Sequence, residues 1–157
     1  MRWWLYNLLF FAGYAAMAPH FCLRMRKRGG YRARFHDRFG RYDAATRVRF
    51  DTAGAARRPT WIHAVSVGEV YVAGQLMRAL RQREPGIRFV LSTTSSTGWR
   101  EAEKQLAAGD VLIYNPLDFP WCVRRALDTV RPRRLILAES EIWPNLLRTC
   151  AARGIPA

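Results

Sequence analysis

Residues 61–83 read WIHAVSVGEVYVAGQLMRALRQR, and this stretch decides the fold. It opens with a short apolar run at 61–65, of the kind that forms a buried parallel strand. Ser66-Val67-Gly68-Glu69 follows, a Ser-x-x-Glu capping box in which both side chains satisfy free backbone donors at a helix start. From 69 to 83 the pattern is helical. Together these make one strand–helix unit, and the unit recurs. Apolar runs at 89–92, 111–114 and 135–138 are each followed by a helical pattern, at 99–107, about 119–130 and 142–153. Strands beginning at 61, 89, 111 and 135 are spaced as successive βα units require. The fold class is therefore α/β, a Rossmann-like parallel sheet with right-handed crossovers. Gly154-Ile155-Pro156-Ala157 reads as a helix C-cap and the entry to a fifth strand, so the sheet is expected to continue.

Upstream, no charged residue occurs from Trp3 to Leu23. As a helix these residues would span about 31 Å, close to the hydrocarbon thickness of a bilayer. Trp3, Trp4 and Tyr6 gather at one end, as in a membrane-interface belt. Arg24-Met25-Arg26-Lys27-Arg28 stands where a signal peptide would be cleaved, which argues for a retained anchor. By the positive-inside rule, the rest of the chain is expected on the cytoplasmic side of the membrane. The formal charge is +14, concentrated beside this apolar run: residues 24–49 hold ten Arg or Lys against Asp37 and Asp43. So basic a block beside an anchor points to anionic lipid headgroups or a phosphorylated lipid rather than nucleic acid. Three parts are expected: an anchor with its basic flank at 1–28, a basic connector at 29–59, and the Rossmann-like domain at 60–157. Cys22, Cys122 and Cys150 form no C-x-x-C, and the histidines lack ligand spacing, so neither a disulfide framework nor a metal site is expected. His63 reads as a core or rim histidine.

In an open parallel sheet, ligands bind beyond the C-terminal ends of the strands. Those ends carry Ser66–Glu69, then Ser92-Thr93-Thr94-Ser95-Ser96-Thr97-Gly98, Asn115-Pro116-Leu117-Asp118, and Glu139-Ser140-Glu141-Ile142-Trp143-Pro144-Asn145. Capping explains part of this, with Thr97 and Asp118 as candidate N-caps. It does not explain two glutamates around Ser140 or six consecutive hydroxyl residues. Helix N-termini and hydroxyls suit anionic, polyhydroxylated ligands. Neither G-x-G-x-x-G nor G-x-x-x-x-G-K-[ST] occurs, so dinucleotide and P-loop readings lose their main support.

Taken in order, WIHAVSVGE (61–69), STTSSTG (92–98), YNPLD (114–118), ESEIWPN (139–145) and RGIP (153–156) resemble the 3-deoxy-D-manno-octulosonic acid (Kdo) transferases of lipopolysaccharide synthesis. The resemblance implies the N-terminal, acceptor-binding domain of a GT-B (two-Rossmann-domain) glycosyltransferase. It further implies transfer of Kdo from CMP-Kdo, held mainly by a second domain, to a lipid A precursor. The reaction would invert the anomeric carbon and use no metal cofactor. The family's base is a glutamate in a W-G-E-R-Y-G-like segment; Phe35-His36-Asp37-Arg38-Phe39-Gly40 aligns with it, so Asp37 is the expected catalytic residue, one methylene shorter. Ser66, Gly68, Glu69, Thr93, Thr97, Gly98, Glu139, Glu141 and Asn145 are expected to bind the acceptor. Arg32, Arg34 and Arg38 are expected on its phosphates, since bidentate arginine suits phosphate. Two alternatives stay open: a different membrane-associated GT-B transferase using a nucleotide-diphosphate sugar, and a non-catalytic membrane-tethered binding domain.

Overall fold

The computed structural model describes residues 2–28, 34–51, 58–139 and 141–157. It contains two compact units, Met1–Ala33 and Arg34–Ala157. Arg32 and Ser140 lie outside the described residues.

Among the described residues the first unit forms one helix, α1 (Trp3–Arg28), which runs through Pro19. Trp4, Leu8, Leu9, Phe11 and Leu23 are among its exposed apolar side chains. Trp3–Arg26 contains an 18-residue window with a mean hydropathy of 1.2, and by length and composition it could cross a bilayer.

The second unit begins with a 3-10 turn (Phe35–Phe39) and α2 (Ala44–Asp51), so much of the connector belongs with the α/β domain. The strands are β1 (Thr60–His63), β2 (Phe89–Thr93), β3 (Val111–Tyr114) and β4 (Arg134–Leu137). They alternate with α3 (Val67–Arg83), α4 (Ser96–Glu103), α5 (Pro120–Val130) and α6 (Pro144–Ala152). All pairings are parallel and the order is β3-β2-β1-β4. The chain thus steps outward from β1 to β3 and then crosses to the other side of β1. That makes the β1/β4 boundary the topological switch point, where open α/β sheets form their crevice.

Period-two alternation builds a core on each face of the sheet. Trp61, Val90, Ile113 and Leu135 pack with Val123, Ala126, Leu127 and Leu146 of α5 and α6. Ile62, Leu91 and Leu112 pack with Val70, Ala73 and Met77 of α3 on the other face. Each of the larger side chains contributes about 1.5–3 kcal/mol on burial.

Several boundaries differ from expectation for local reasons. The first strand ends at His63 rather than 65, because the amides of Val65 and Ser66 turn to the Glu69 carboxylate (2.8 and 3.0 Å). Ser95, not Thr97, caps α4: its hydroxyl accepts the Gly98 amide at 3.0 Å, so the helix starts three residues early. Asp118 does not cap α5, which starts from Phe119 and Pro120 without a side-chain cap. Its two carboxylate oxygens instead accept the amides of Asn145 and Leu146, both at 2.9 Å, at the start of α6. The Pro156 carbonyl accepts the Leu135 amide (2.8 Å), laying the last residues alongside β4.

Candidate functional site

The carboxylates at the two ends of the sheet have different work. Asp110, before β3, is spent on the fold: it pairs with Arg81 and accepts the amides of Phe89 (3.1 Å) and Ala107 (2.9 Å). The C-terminal ends carry a wider set of polar groups, and not all of them are consumed.

At the end of β1, the capping box is complete. The Glu69 amide donates to the Ser66 hydroxyl (3.2 Å), and both Glu69 oxygens accept backbone amides. Burial pushes the Glu69 carboxyl up, but these hydrogen bonds outweigh it and hold the group below the ordinary range. Gly68 has room around it: a Cβ would meet only the Ser66 hydroxyl, at 3.8 Å. Gly98 is the opposite case, since a Cβ there would collide with the Thr93 hydroxyl. Thr93 is fully buried and its hydroxyl has no partner among the described residues, whereas Thr97 is exposed on the first turn of α4.

Ser92 organises the layer beneath. Its hydroxyl accepts the Trp61 indole N–H (2.8 Å) and lies 2.9 Å from Nδ1 of His63. Burial pushes His63 down to about 4, so the ring is neutral near pH 7. Its Nε2 has no partner among the described residues, nor has the indole nitrogen of Trp143, whose ring meets the imidazole edge-on with centroids 5.8 Å apart.

At the end of β4, Glu139 and Glu141 are exposed. Glu141 is raised by burial and by repulsion from Glu69 and Glu139, which groups the three carboxylates at the switch point. Asn145 is buried, with its amide nitrogen on the Asp118 carbonyl (2.5 Å).

Asp37 reaches the sheet from the 3-10 turn. Its carboxylate accepts the Tyr114 amide at 3.3 Å, at the C-terminal end of β3. Arg34 Nε lies 3.2 Å away, near enough for charge attraction although its N–H is not aligned on the oxygen. Asp37 is only 3% exposed, and burial pushes its carboxyl up to about 6 against the pull of Arg34. Arg38 stacks over the Tyr114 ring at 4.1 Å and donates to the Thr94 carbonyl at 3.0 Å, fastening the turn to the β2 loop. Gly40 closes the turn at φ 66, where a Cβ would stand 2.5 Å from the Cys122 carbonyl. Only glycine fits that approach.

The crevice is therefore broad. Asp37 sits at β3 and Glu139 at β4, three inter-strand steps apart, or about 14 Å at the usual spacing. The expected residues fall into two groups, Asp37 with Arg34 and Arg38 at one end and Glu69, Glu139 and Glu141 at the other. Arg34 is engaged by Asp37, Asp43 and Thr46, and Arg38 by Tyr114 and Thr94, so both expected phosphate ligands already have partners within the protein.

Residues 33–157, which include the whole α/β unit, match the family model described as 3-Deoxy-D-manno-octulosonic-acid transferase (kdotransferase). The chain belongs to the Kdo transferase family. It is similar to the 3-deoxy-D-manno-octulosonic acid transferase of Bordetella pertussis, 38% identical over 127 residues, covering 74% of this chain and 29% of that protein. The Haemophilus influenzae enzyme of the same name is 33% identical over 126 residues, covering 80% of this chain and 28% of the relative. A probable mitochondrial Kdo transferase of Arabidopsis thaliana is 32% identical over 111 residues, covering 69% and 25%. The chain thus spans between a quarter and a third of the length of these relatives.

Within this Kdo transferase family member, the sequence reading missed what Asp118 does, because its partners lie 27 and 28 residues later in another loop. It also missed that Arg38 and Tyr114 stack. The one available signal was that both residues fall in motifs of high polar and aromatic content.

Proposed function

We propose that a full-length protein carrying this chain transfers Kdo from CMP-Kdo to a lipid A precursor, with inversion at the anomeric carbon. In this reading the α/β unit is the acceptor-side domain of a GT-B enzyme, a second Rossmann domain binds most of the donor, and α1 anchors the chain in the inner membrane. Family membership and the apolar α1 support it.

The observation that carries the mechanism is Asp37. A base that accepts the proton of an attacking hydroxyl works best with a pKa near the working pH. Burial gives Asp37 that property, near 6. As the acceptor hydroxyl attacks the anomeric carbon, Asp37 takes its proton while the nucleotide departs. Arg34 then stabilises the carboxylate before the transfer and is positioned to relax toward Asp43 afterwards, 3.9 Å away. Glu139 and Glu141, exposed at the far end, suit hydrogen bonds from sugar hydroxyls, and in this reading Ser66, Gly68 and Thr97 contact the acceptor as well. Asn145 acts from beneath through its bond to the Asp118 carbonyl, and Gly98 leaves room for the Thr93 hydroxyl, which is open to an acceptor hydroxyl.

The test is Asp37→Ala in the full-length protein, assayed for Kdo transfer in membranes. A loss of at least 100-fold is expected from removing a general base. Wild-type activity in this variant would remove Asp37 from the role.

A further inference from the structure

The turn that points Asp37 and Arg38 inward presents its other side to a groove of about 420 Å³, lined by Phe35, His36, Phe39, Arg41, Trp121 and Arg125. Its walls are aromatic. Phe35 and Phe39 meet edge to face at 5.6 Å, and Trp121 stacks on Phe119 at 4.8 Å while remaining 50% exposed. Its rim is basic, because His36, Arg41 and Arg125 are all exposed. Neither Arg41 nor Arg125 has a carboxylate partner among the described residues. This contrasts with Arg34 and Arg38, whose guanidinium groups are taken up within the domain.

We propose that this groove docks the α/β unit on the bilayer by taking the headgroup of an anionic phospholipid. Arg41 and Arg125 would hold the phosphate, with Phe35, Phe39 and Trp121 at the level of the acyl–headgroup boundary. The choice of occupant follows from charge and side-chain type. Arginines with no carboxylate partner among the described residues, beside a half-exposed tryptophan, fit an anionic interface, where indole and phenyl rings concentrate and each basic residue adds attraction. The same chain carries α1, which is long and apolar enough to reach a bilayer. The proposal does not depend on which sugar is transferred. The phosphate held here belongs to a bilayer phospholipid and is distinct from the acceptor phosphates expected at Arg34 and Arg38.

The test places the photo-crosslinking residue p-benzoylphenylalanine at position 121 of the full chain, reconstituted in vesicles of phosphatidylcholine alone or with one-third phosphatidylglycerol. Position 72 on α3, where Val72 is exposed, is the control. Adducts of phosphatidylglycerol are expected at 121 and not at 72. A basic residue near an anionic surface is worth about five-fold in affinity, so Arg41→Gln with Arg125→Gln should lower the adduct yield by an order of magnitude or more. Arg41→Lys with Arg125→Lys should retain most of it. Equal labelling of the two lipids, equal labelling from positions 121 and 72, or a yield unchanged in the Gln pair would overturn the proposal.

Discussion

Replacing Asp37 by asparagine removes a charge and keeps an oxygen for the Tyr114 amide, now 3.3 Å from the carboxylate. The consequence for stability can be worked from the burial of the group. Its pKa rises from 3.8 to about 6 on folding. At about 1.36 kcal/mol per unit, ionised Asp37 costs the folded state roughly 3 kcal/mol relative to an unperturbed carboxyl. The sign follows from the direction: stability is full below pH 3.8, where both states are protonated, and is lost as pH rises through 6. Asparagine carries no such cost. Asp37→Asn should therefore unfold at nearly the wild-type urea concentration at pH 3.5, and at a higher one at pH 8. Transfer by the full-length variant should nonetheless fall by about 100- to 10,000-fold. Wild-type transfer should itself drop about ten-fold per pH unit below 6, as the base is protonated. A lower urea midpoint for the variant at pH 8 would show that the ionised form is net stabilising, through Arg34, and would refute the reasoning.

Gly40→Ala places a Cβ against the Cys122 carbonyl at φ 66 and should destabilise by about 2–4 kcal/mol, read as a lower urea midpoint. Asp118→Ala leaves two buried amides of α6 without an acceptor and should cost about 3–5 kcal/mol, whereas Asp118→Asn keeps one of them and should cost about half as much. Glu69→Gln keeps an oxygen for the Ser66 amide but loses the second acceptor, which serves the Val65 amide, with an expected loss of about 1 kcal/mol in thermal or chemical unfolding.

The parallel sheet was legible because each strand is a short, uninterrupted apolar run and each helix start carries a local signal. The Ser66–Glu69 box is the clearest example, since both partners lie within one turn and the structure contains both bonds. Non-local bonds were not legible. Thr97 and Asp118 are sound cap residues by type, yet Ser95 holds α4 and Asp118 reaches across to α6. The side of β1 on which β4 lies is likewise set by packing of α5 and α6 against Trp61 and Leu135, which no single segment reports. The polar strand-end loops could be located from the strand pattern, and the resemblance to Kdo transferases is what proposes Asp37 as the base. What the sequence could not supply was the burial that raises Asp37 and the engagement of Arg34 and Arg38 inside the domain, both products of how the 3-10 turn packs on β3 and α5.

The most direct test of the central claim is a donor comparison with the full-length protein in membranes. A phosphorylated, acylated disaccharide acceptor is incubated with CMP-Kdo or with UDP-sugars, and the products are read by mass. The account predicts an acceptor heavier by Kdo with CMP-Kdo alone, lost in Asp37→Ala. Transfer from a UDP-sugar with none from CMP-Kdo would contradict it.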